Sequence, residues 1–201
     1  MESKFRLCRS AVASFLAMSV LVGVVYTGGC TALAQVAFPY QANGSIFETE
    51  DGGRYCELLG QPWEDESHMW GRIANPNVST FSTDDGTALY WAGPSNLSPA
   101  SDEFAEIVQE RVAVLRSLDP ENEKPIPSDL ATCSGSGLDP EISVAAAEYQ
   151  VDRLVRTTGK SAEEIERIIE AATTPASFGF LGEDRVNVLK VNLMLDGKLA
   201  Y

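Results

Sequence analysis

The 201-residue sequence predicts an α+β protein: a single N-terminal transmembrane helix followed by one extracytoplasmic α+β domain. Three observations predict it. A basic head precedes a long charge-free apolar run. Further on, three stretches repeat apolar residues at helical spacing behind capping residues. Short apolar runs between Gly, Asn and Asp turns read as strands. The length suits one compact domain plus an accessory segment. At 44% hydrophobic and 22% charged residues, the composition is that of an ordinary folded chain.

The first element follows from charge. Lys4, Arg6 and Arg9 stand against Glu2 in the head, and no charged residue occurs from Ser10 through Phe47. The rest of the chain holds 12 basic and 28 acidic residues, a net −16. The whole chain is at −14, which repels phosphate backbones and argues against a generic polyanion-binding surface, so no nucleic acid is expected as a partner. Ala11–Leu33 supplies the roughly 20 apolar residues that a bilayer-crossing helix needs. The basic head favours residues 1–10 in the cytoplasm, a helix over 11–33 and a domain over 38–201 outside. Phe38-Pro39-Tyr40 reads as an aromatic, helix-stopping exit at the outer interface. Two other readings fit the same residues. Ala32-Leu33-Ala34 is a cleavage pattern that would release an exported soluble binding or cell-surface module after Ala34. Cys30 would anchor a lipoprotein, although Thr27 stands where a large aliphatic residue is usual. All three readings export the acidic body.

The body is read in order. Ala42-Asn43-Gly44-Ser45 is a turn before a strand start at Ile46-Phe47, and residues 50–54 are a second turn. Cys56–Leu59 suits a strand ending at Gly60. Gln61–Ser101 is a long irregular region whose Trp63, Trp70 and Trp91 should pack on something. Ser101 or Asp102 caps a helix with Phe104, Ile107, Val108, Val112 and Leu115 on one face, ended by Asp119-Pro120. Residues 121–129 read as an exposed, extended linker. Gly135 and Gly137 make a flexible turn. Ser143 caps a second helix carrying Val144, Ala147, Val151, Leu154 and Val155, closed by Gly159. Ser161 and Glu164 form a capping box for a third, with Ile165, Ile168, Ile169 and Ala172 as its stripe. The tail from Arg185 to Gly197 reads as one long strand with a bulge near Leu189-Lys190.

No catalytic or metal-binding constellation emerges. His68 is the one histidine and stands in a loop. Glu64, Asp65 and Glu66 are adjacent acids, which read as solvated charge rather than an opposed acid/base pair. Ser134–Pro140 lacks the lysine of a phosphate loop and has Asp139 instead. Cys8, Cys30, Cys56 and Cys133 show no metal-ligand spacing. Cys56 and Cys133 would share the oxidising compartment as a candidate disulfide, with two unpaired buried thiols the equal alternative.

Several segments together carry a resemblance. They are Gln41-Ala42-Asn43-Gly44-Ser45, Gly60-Gln61, Ser134-Gly135-Ser136-Gly137-Leu138-Asp139-Pro140-Glu141-Ile142-Ser143 and Tyr149-Gln150-Val151. Leu181-Gly182-Glu183, Arg185–Leu189, Asn192-Leu193 and Leu195-Asp196 follow. In this order and spacing the chain resembles the C subunit of the Kdp potassium-transporting P-type ATPase, nearly end to end. The resemblance implies an uncleaved membrane anchor and a non-catalytic accessory role. The implied partners are a potassium-binding A subunit, a P-type ATPase B subunit bearing the phosphorylated aspartate, a small F subunit, and membrane lipid. It implies that the subunit assembles and stabilises the complex and raises apparent ATP affinity, so ATP enters as an indirect association and no cofactor is expected to bind directly.

The family motifs single out Gln41, Asn43, Gly44 and Ser45, with Gly135, Gly137, Leu138, Asp139 and Pro140, as interface or turn-forming residues. Trp70 and Arg72 match one version of a further family run, in which Ile73 replaces proline. Ser95 and Asn96 lie in a stretch likened to a nucleotide-contacting signature. The family's Ser-Gly-Gly-Ser-Asn-Leu stretch reads Trp91-Ala92-Gly93-Pro94-Ser95-Asn96-Leu97 here, and the loss of Ser-Gly-Gly weakens that contact. Cytosolic ATP and an outer body are reconciled if the subunit binds one conformational state of the pump better than another.

Overall fold

Residues 2–75 and 92–201 are described by the computed structural model, and they fall into two units that divide after Ile46. The first unit is helical. α1 (Glu2–Val20), a π-helical stretch (Leu21–Tyr26) and α2 (Thr27–Ala37) follow one another without a break. Within them Lys4–Ala37, 34 residues, is long and apolar enough to cross a membrane, the one such helix among the described residues. At 1.5 Å per residue it is about 50 Å long, more than the hydrocarbon core requires. In the π stretch the Thr27 hydroxyl donates to the Val22 carbonyl at 2.8 Å, taking up a backbone acceptor. Phe38 leaves the helical conformation at φ −139, and Pro39 opens the short α3 (Pro39–Ala42) at its first turn, where proline's missing N–H costs nothing.

The second unit is α+β. β1 (Ile46–Glu48) and β2 (Arg54–Cys56) form a two-stranded sheet. The turn between them is closed by Thr49 and Gly53 backbone bonds. The expected strand over Cys56–Leu59 is therefore one turn too late, since the strand ends at Cys56 and the next residues turn. α4 (Asp102–Leu118) starts where capping predicts, with the Ser101 hydroxyl accepting from the Phe104 amide. Of its apolar stripe only Leu115 is buried, and Ile107 is exposed. The stretch after it is not simply an exposed linker: Asp119 and Asn122 are buried, and Asn122 donates to Asp119 and to the Tyr149 carbonyl at 3.0 Å. α5 (Ser128–Ala131) follows.

A three-stranded antiparallel sheet holds the centre, in the order β3 (Glu141–Ser143), β5 (Arg185–Asn187), β4 (Thr173–Thr174). Ile142 faces Val186 across β3 and β5, and Thr173 faces Val186 across β4 and β5. The expected second helix is two, α6 (Val144–Tyr149) and α7 (Val151–Thr158), interrupted at Gln150. The Ser143 hydroxyl caps α6, and Gly159 ends α7 at φ +73. Ser161 caps α8 (Ala162–Ala171). The reciprocal half of the expected capping box is diverted, because the Glu164 carboxylate pairs with Lys160 at 2.6 Å. Ile165, Ile168 and Val186 are fully buried, each removing about 1.5–3 kcal/mol of apolar surface from water.

The tail corrects the sequence expectation most. Only Arg185–Asn187 is strand; Val188–Leu195 is a helix, α9. Asn187 supplies the switch, its side chain accepting from the Lys190 amide at 3.0 Å. The apparent bulge at Leu189-Lys190 is the first turn of that helix. Six of its eight residues are buried, so no polar face broke the β-like pattern.

Candidate functional site

The family-motif residues fall in both units. In the first, Gln41–Ser45 terminates the helical run. The Gly44 amide donates to the Gln41 carbonyl at 3.1 Å, and Tyr40 and Ser45 exchange bonds through the Ser45 amide and the Tyr40 hydroxyl, both at 3.0 Å. Gly44 at φ +90 and Ser45 at φ +51 reverse the chain, a path natural for glycine and costly for serine. Asn43 donates to the Pro39 carbonyl at 2.6 Å and to Gln35 at 3.1 Å. The motif is a fastened stop at the end of the apolar helix.

In the second unit the Ser134–Pro140 loop is a hub, and it is held rather than flexible. The Gly137 amide donates to the Ser134 hydroxyl at 2.9 Å, and the Leu138 amide to the Ser136 hydroxyl at 3.2 Å. The Asp139 carboxylate accepts from the Glu141 amide at 3.0 Å, turning the chain into β3. Carbonyls of the loop then bind distant backbone: Leu138 takes the Gly60 amide (2.8 Å), Gly137 the Asn75 amide (2.9 Å) and Pro140 the Val188 amide (3.0 Å). Asn75 also donates its side-chain amide to the Gly93 carbonyl at 2.9 Å.

Glycine is required at two of these crossings. A Cβ on Gly137, which sits at φ +73, would lie 2.4 Å from the Gly93 oxygen, and one on Gly60 would lie 2.6 Å from the Asp139 oxygen. Gly135 is different: nothing lies within 4 Å of its virtual Cβ. The crevice where Gly60, Gly71, Gly137 and Asp139 meet measures about 10 Å³, room for one water and far too little for a nucleotide.

The irregular segment before it is fixed by side chains that the sequence did not single out as functional. Asn192, fully buried on α9, accepts the Met69 amide at 2.7 Å and returns a bond to the Met69 carbonyl at 2.9 Å. Gln150, at the break between α6 and α7, does the same for Trp70 at 2.8 and 2.9 Å. The two amides replace a missing neighbouring strand. Arg153 donates to the carbonyls of Glu66 and His68 and to Gln150. Burial pulls its guanidinium down to about 10, so it stays charged at neutral pH. Gln150 and Asn192 stand in segments that carry the family resemblance, but nothing in the sequence shows what their side chains bind.

Two tryptophans meet the expectation that they pack. Trp70 is buried beneath the Arg111 guanidinium, 4.6 Å from the ring centre. Trp63 stacks on His68 with centroids 4.5 Å apart. Trp91 lies outside the described residues. His68 is less of a surface group than its loop position implied: its ring nitrogens reach Asp65 at 2.7 Å and Asp196 at 2.9 Å. Glu64, Asp65 and Glu66 are exposed, and Asp65 is the member drawn into that contact. Cys56 and Cys133 are half-buried with no disulfide between them, and the Cys133 thiol donates to the Ser134 carbonyl at 3.3 Å. Ser95 and Asn96 are exposed in an irregular stretch, with Asn96 at φ +56. Among the described residues no group of three or more His, Cys, Asp or Glu side chains is placed to hold a metal. The hub is backbone bonded to backbone through glycine contacts, an arrangement that fixes shape and moves no proton.

A family model and curated relatives give the same relationship. Residues 8–197 match the family model described as KdpC: K+-transporting ATPase, c chain. The potassium-transporting ATPase KdpC subunit of Clostridium perfringens is 49% identical over 196 residues, covering 96% of this chain and 98% of the relative. The subunit of the same name from Clostridium botulinum is 49% identical over 191 residues, 94% of each chain. That of Herpetosiphon aurantiacus is 43% identical over 188 residues, again 94% of each. With most of the candidate membrane helix and the glycine hub inside a single continuous match, the chain belongs to the KdpC family of potassium-transporting ATPase subunits.

Proposed function

We propose that the chain is the non-catalytic accessory subunit of an ATP-driven potassium uptake pump, anchored by residues 11–33 with the head inside and the domain from residue 38 outside. The observation that carries the reading is continuity: the family match begins inside the apolar helix and runs through the domain to residue 197. A leader discarded after Ala34 would remove residues 8–34 of that match. The three basic residues of the head, Lys4, Arg6 and Arg9, support this orientation.

Its partners are the potassium-binding A subunit, the ATPase B subunit that carries the phosphorylated aspartate, and the small F subunit. Its work is to assemble and stabilise them and to raise the apparent ATP affinity of the ATPase subunit. From outside the membrane that effect is a coupling: the subunit binds one state of the pump more tightly, and a tenfold preference corresponds to about 1.4 kcal/mol. Neither Ser95 nor Asn96 need touch nucleotide for this.

The test is co-purification. Tagged full-length protein expressed with the other pump subunits should bring them down from detergent, and ATPase activity should need less ATP in its presence. Mass spectrometry of the mature N-terminus should find the apolar segment intact. Tagged protein that emerges alone, or a mature chain beginning at Gln35, overturns the proposal in favour of a released module.

A further inference from the structure

Phe178, Phe180 and Leu181 stand together on the hairpin between β4 and β5, exposed by 88%, 75% and 52%. Three neighbouring apolar side chains turned to water on an otherwise acidic unit mark a contact surface. The hairpin is built to present them. The Ser177 amide donates to the Leu181 carbonyl and the Leu181 amide donates back to Ser177, both at 2.9 Å. At the foot, Asp184 accepts from the Ala176 amide at 2.8 Å. Phe178 itself is held at φ +57 between a bound Ser177 and Gly179 at φ +77. A bulky residue in that region costs about 1–2 kcal/mol, so the turn keeps the ring outward against its local preference.

The same Asp184 also lines a groove of about 620 Å³ along α6, α7 and α8. Its floor is apolar, from Val144, Val151 and Ile169. Its rim carries Glu148, Asp152, Glu166 and Glu170 as well as Asp184, opposed by Lys124 alone, which already pairs with Asp152 at 3.1 Å. Finger and groove thus share Asp184, the finger apolar at its tip and the groove apolar along its floor and negative along its edge.

We infer that this surface docks a cationic, amphipathic segment of another pump subunit, whose apolar side receives Phe178 and Phe180 while its Lys and Arg side chains face the rim. The inference rests on the accessory-subunit reading and names the surface through which that subunit holds on. Charge selects the occupant. Anionic lipid headgroups are repelled by the rim, and a second copy of this chain brings a further −16 to a surface that is already negative.

The test uses the full chain co-expressed with the other pump subunits and purified in detergent. Glu148→Lys with Glu166→Lys and Glu170→Lys should lower the co-purified subunits at least tenfold, as should Phe178→Ser with Phe180→Ser. Glu103→Lys with Glu106→Lys and Glu121→Lys, which makes an equal charge change on exposed positions elsewhere, should retain them. Raising salt should loosen the wild-type complex. All the substituted positions are exposed, and a variant melting within about 3 °C of wild type counts as folded. A second measurement needs no destabilising change: benzoylphenylalanine at position 180 should cross-link to a Lys- or Arg-bearing segment of another subunit. Full retention of both groove and finger variants overturns the inference, and so does a cross-link confined to lipid or to a second copy. In those cases wild-type co-purification still supports the accessory reading. Failure of wild type to co-purify overturns both.

Discussion

Replacing Gly137 by alanine separates two roles for the Ser134–Pro140 motif, shaping the fold and touching a partner. The new Cβ would sit 2.4 Å from the Gly93 oxygen and 2.9 Å from its nitrogen. Both are backbone atoms, so no side chain can swing away. Holding alanine at φ +73 costs about 1–2 kcal/mol. Moving the Gly93 backbone aside sacrifices the 2.9 Å bond from Asn75 to the Gly93 carbonyl and strains the one from the Asn75 amide to Gly137, about 1 kcal/mol each. The total is about 3 kcal/mol, which for a unit of this size lowers Tm by about 6–12 °C. Gly60→Ala, facing the Asp139 oxygen at 2.6 Å without a positive φ, should lose about half as much. Gly135→Ala meets nothing within 4 Å and should stay within about 0.5 kcal/mol of wild type. Scanning fluorimetry of the full chain in detergent reads all three. A Gly137→Ala protein that melts within 2 °C of wild type refutes the packing argument. A Gly135→Ala protein that melts normally but releases its partners assigns that glycine to the interface.

Asn192→Leu removes both bonds to Met69 and leaves a buried amide and carbonyl unsatisfied. It should cost about 2–4 kcal/mol, seen as a lower urea midpoint at unchanged slope. Ser143→Ala deletes the cap on the Ala146 amide and should cost about 1 kcal/mol by the same assay. Asp65 predicts an acid limb. Burial alone would raise its pKa, but the Ser67 hydroxyl and the His68 ring overcome this and hold it at about 2, below the ordinary 3.8. A depressed carboxylate stabilises the fold fully above its unfolded pKa, so this contribution is complete above about pH 4 and is lost as pH falls toward 2. The side chain is 52% exposed, which keeps the effect below about 1 kcal/mol. Asp65→Asn should flatten melting temperature against pH across that window.

Elements with local signals were legible in the sequence. Ser101, Ser143 and Ser161 each cap a helix through the expected amide, and Gly159 closes α7 in the left-handed conformation. Those features are decided within four residues of chain. The tail was misread because alternation between Arg185 and Leu195 arises equally from a strand and from a helix buried on nearly every side. Only the Asn187 cap separates the two, and it lies inside the pattern rather than before it. The hub was half visible. Glycine spacing marked a turn, but the need for glycine at positions 60 and 137 comes from backbone at residues 139 and 93. No local window contains such a pair. The bonds of Asn192 and Gln150 are hidden for the same reason: their partners lie 123 and 80 residues away.

Under the proposed placement outside the membrane, that distribution of bonds bears on how the subunit would act on a pump. The described part of the irregular excursion is tied at intervals to the helical core. Glu57 is bound by Asn187 and Lys190, Gly60 by Leu138, Glu66 and His68 by Arg153, Met69 by Asn192 and Trp70 by Gln150. A body fastened this way responds to a partner's movement as a whole, and a rigid body is what state-selective binding requires, because a compliant one would follow the partner through both states and favour neither. Its charge acts separately. Under the proposed placement, a net −16 beside an ion entrance raises the local cation concentration over about 8–10 Å at physiological salt. It enriches sodium and potassium alike, since exposed carboxylates act on hydrated ions without measuring their size. Substitutions on the acidic rim should therefore change assembly and the salt dependence of uptake while leaving the preference between the two ions where the potassium-binding subunit sets it. A shift in that preference on reversing Glu148, Glu166 and Glu170 would show that the acidic surface does more than attract.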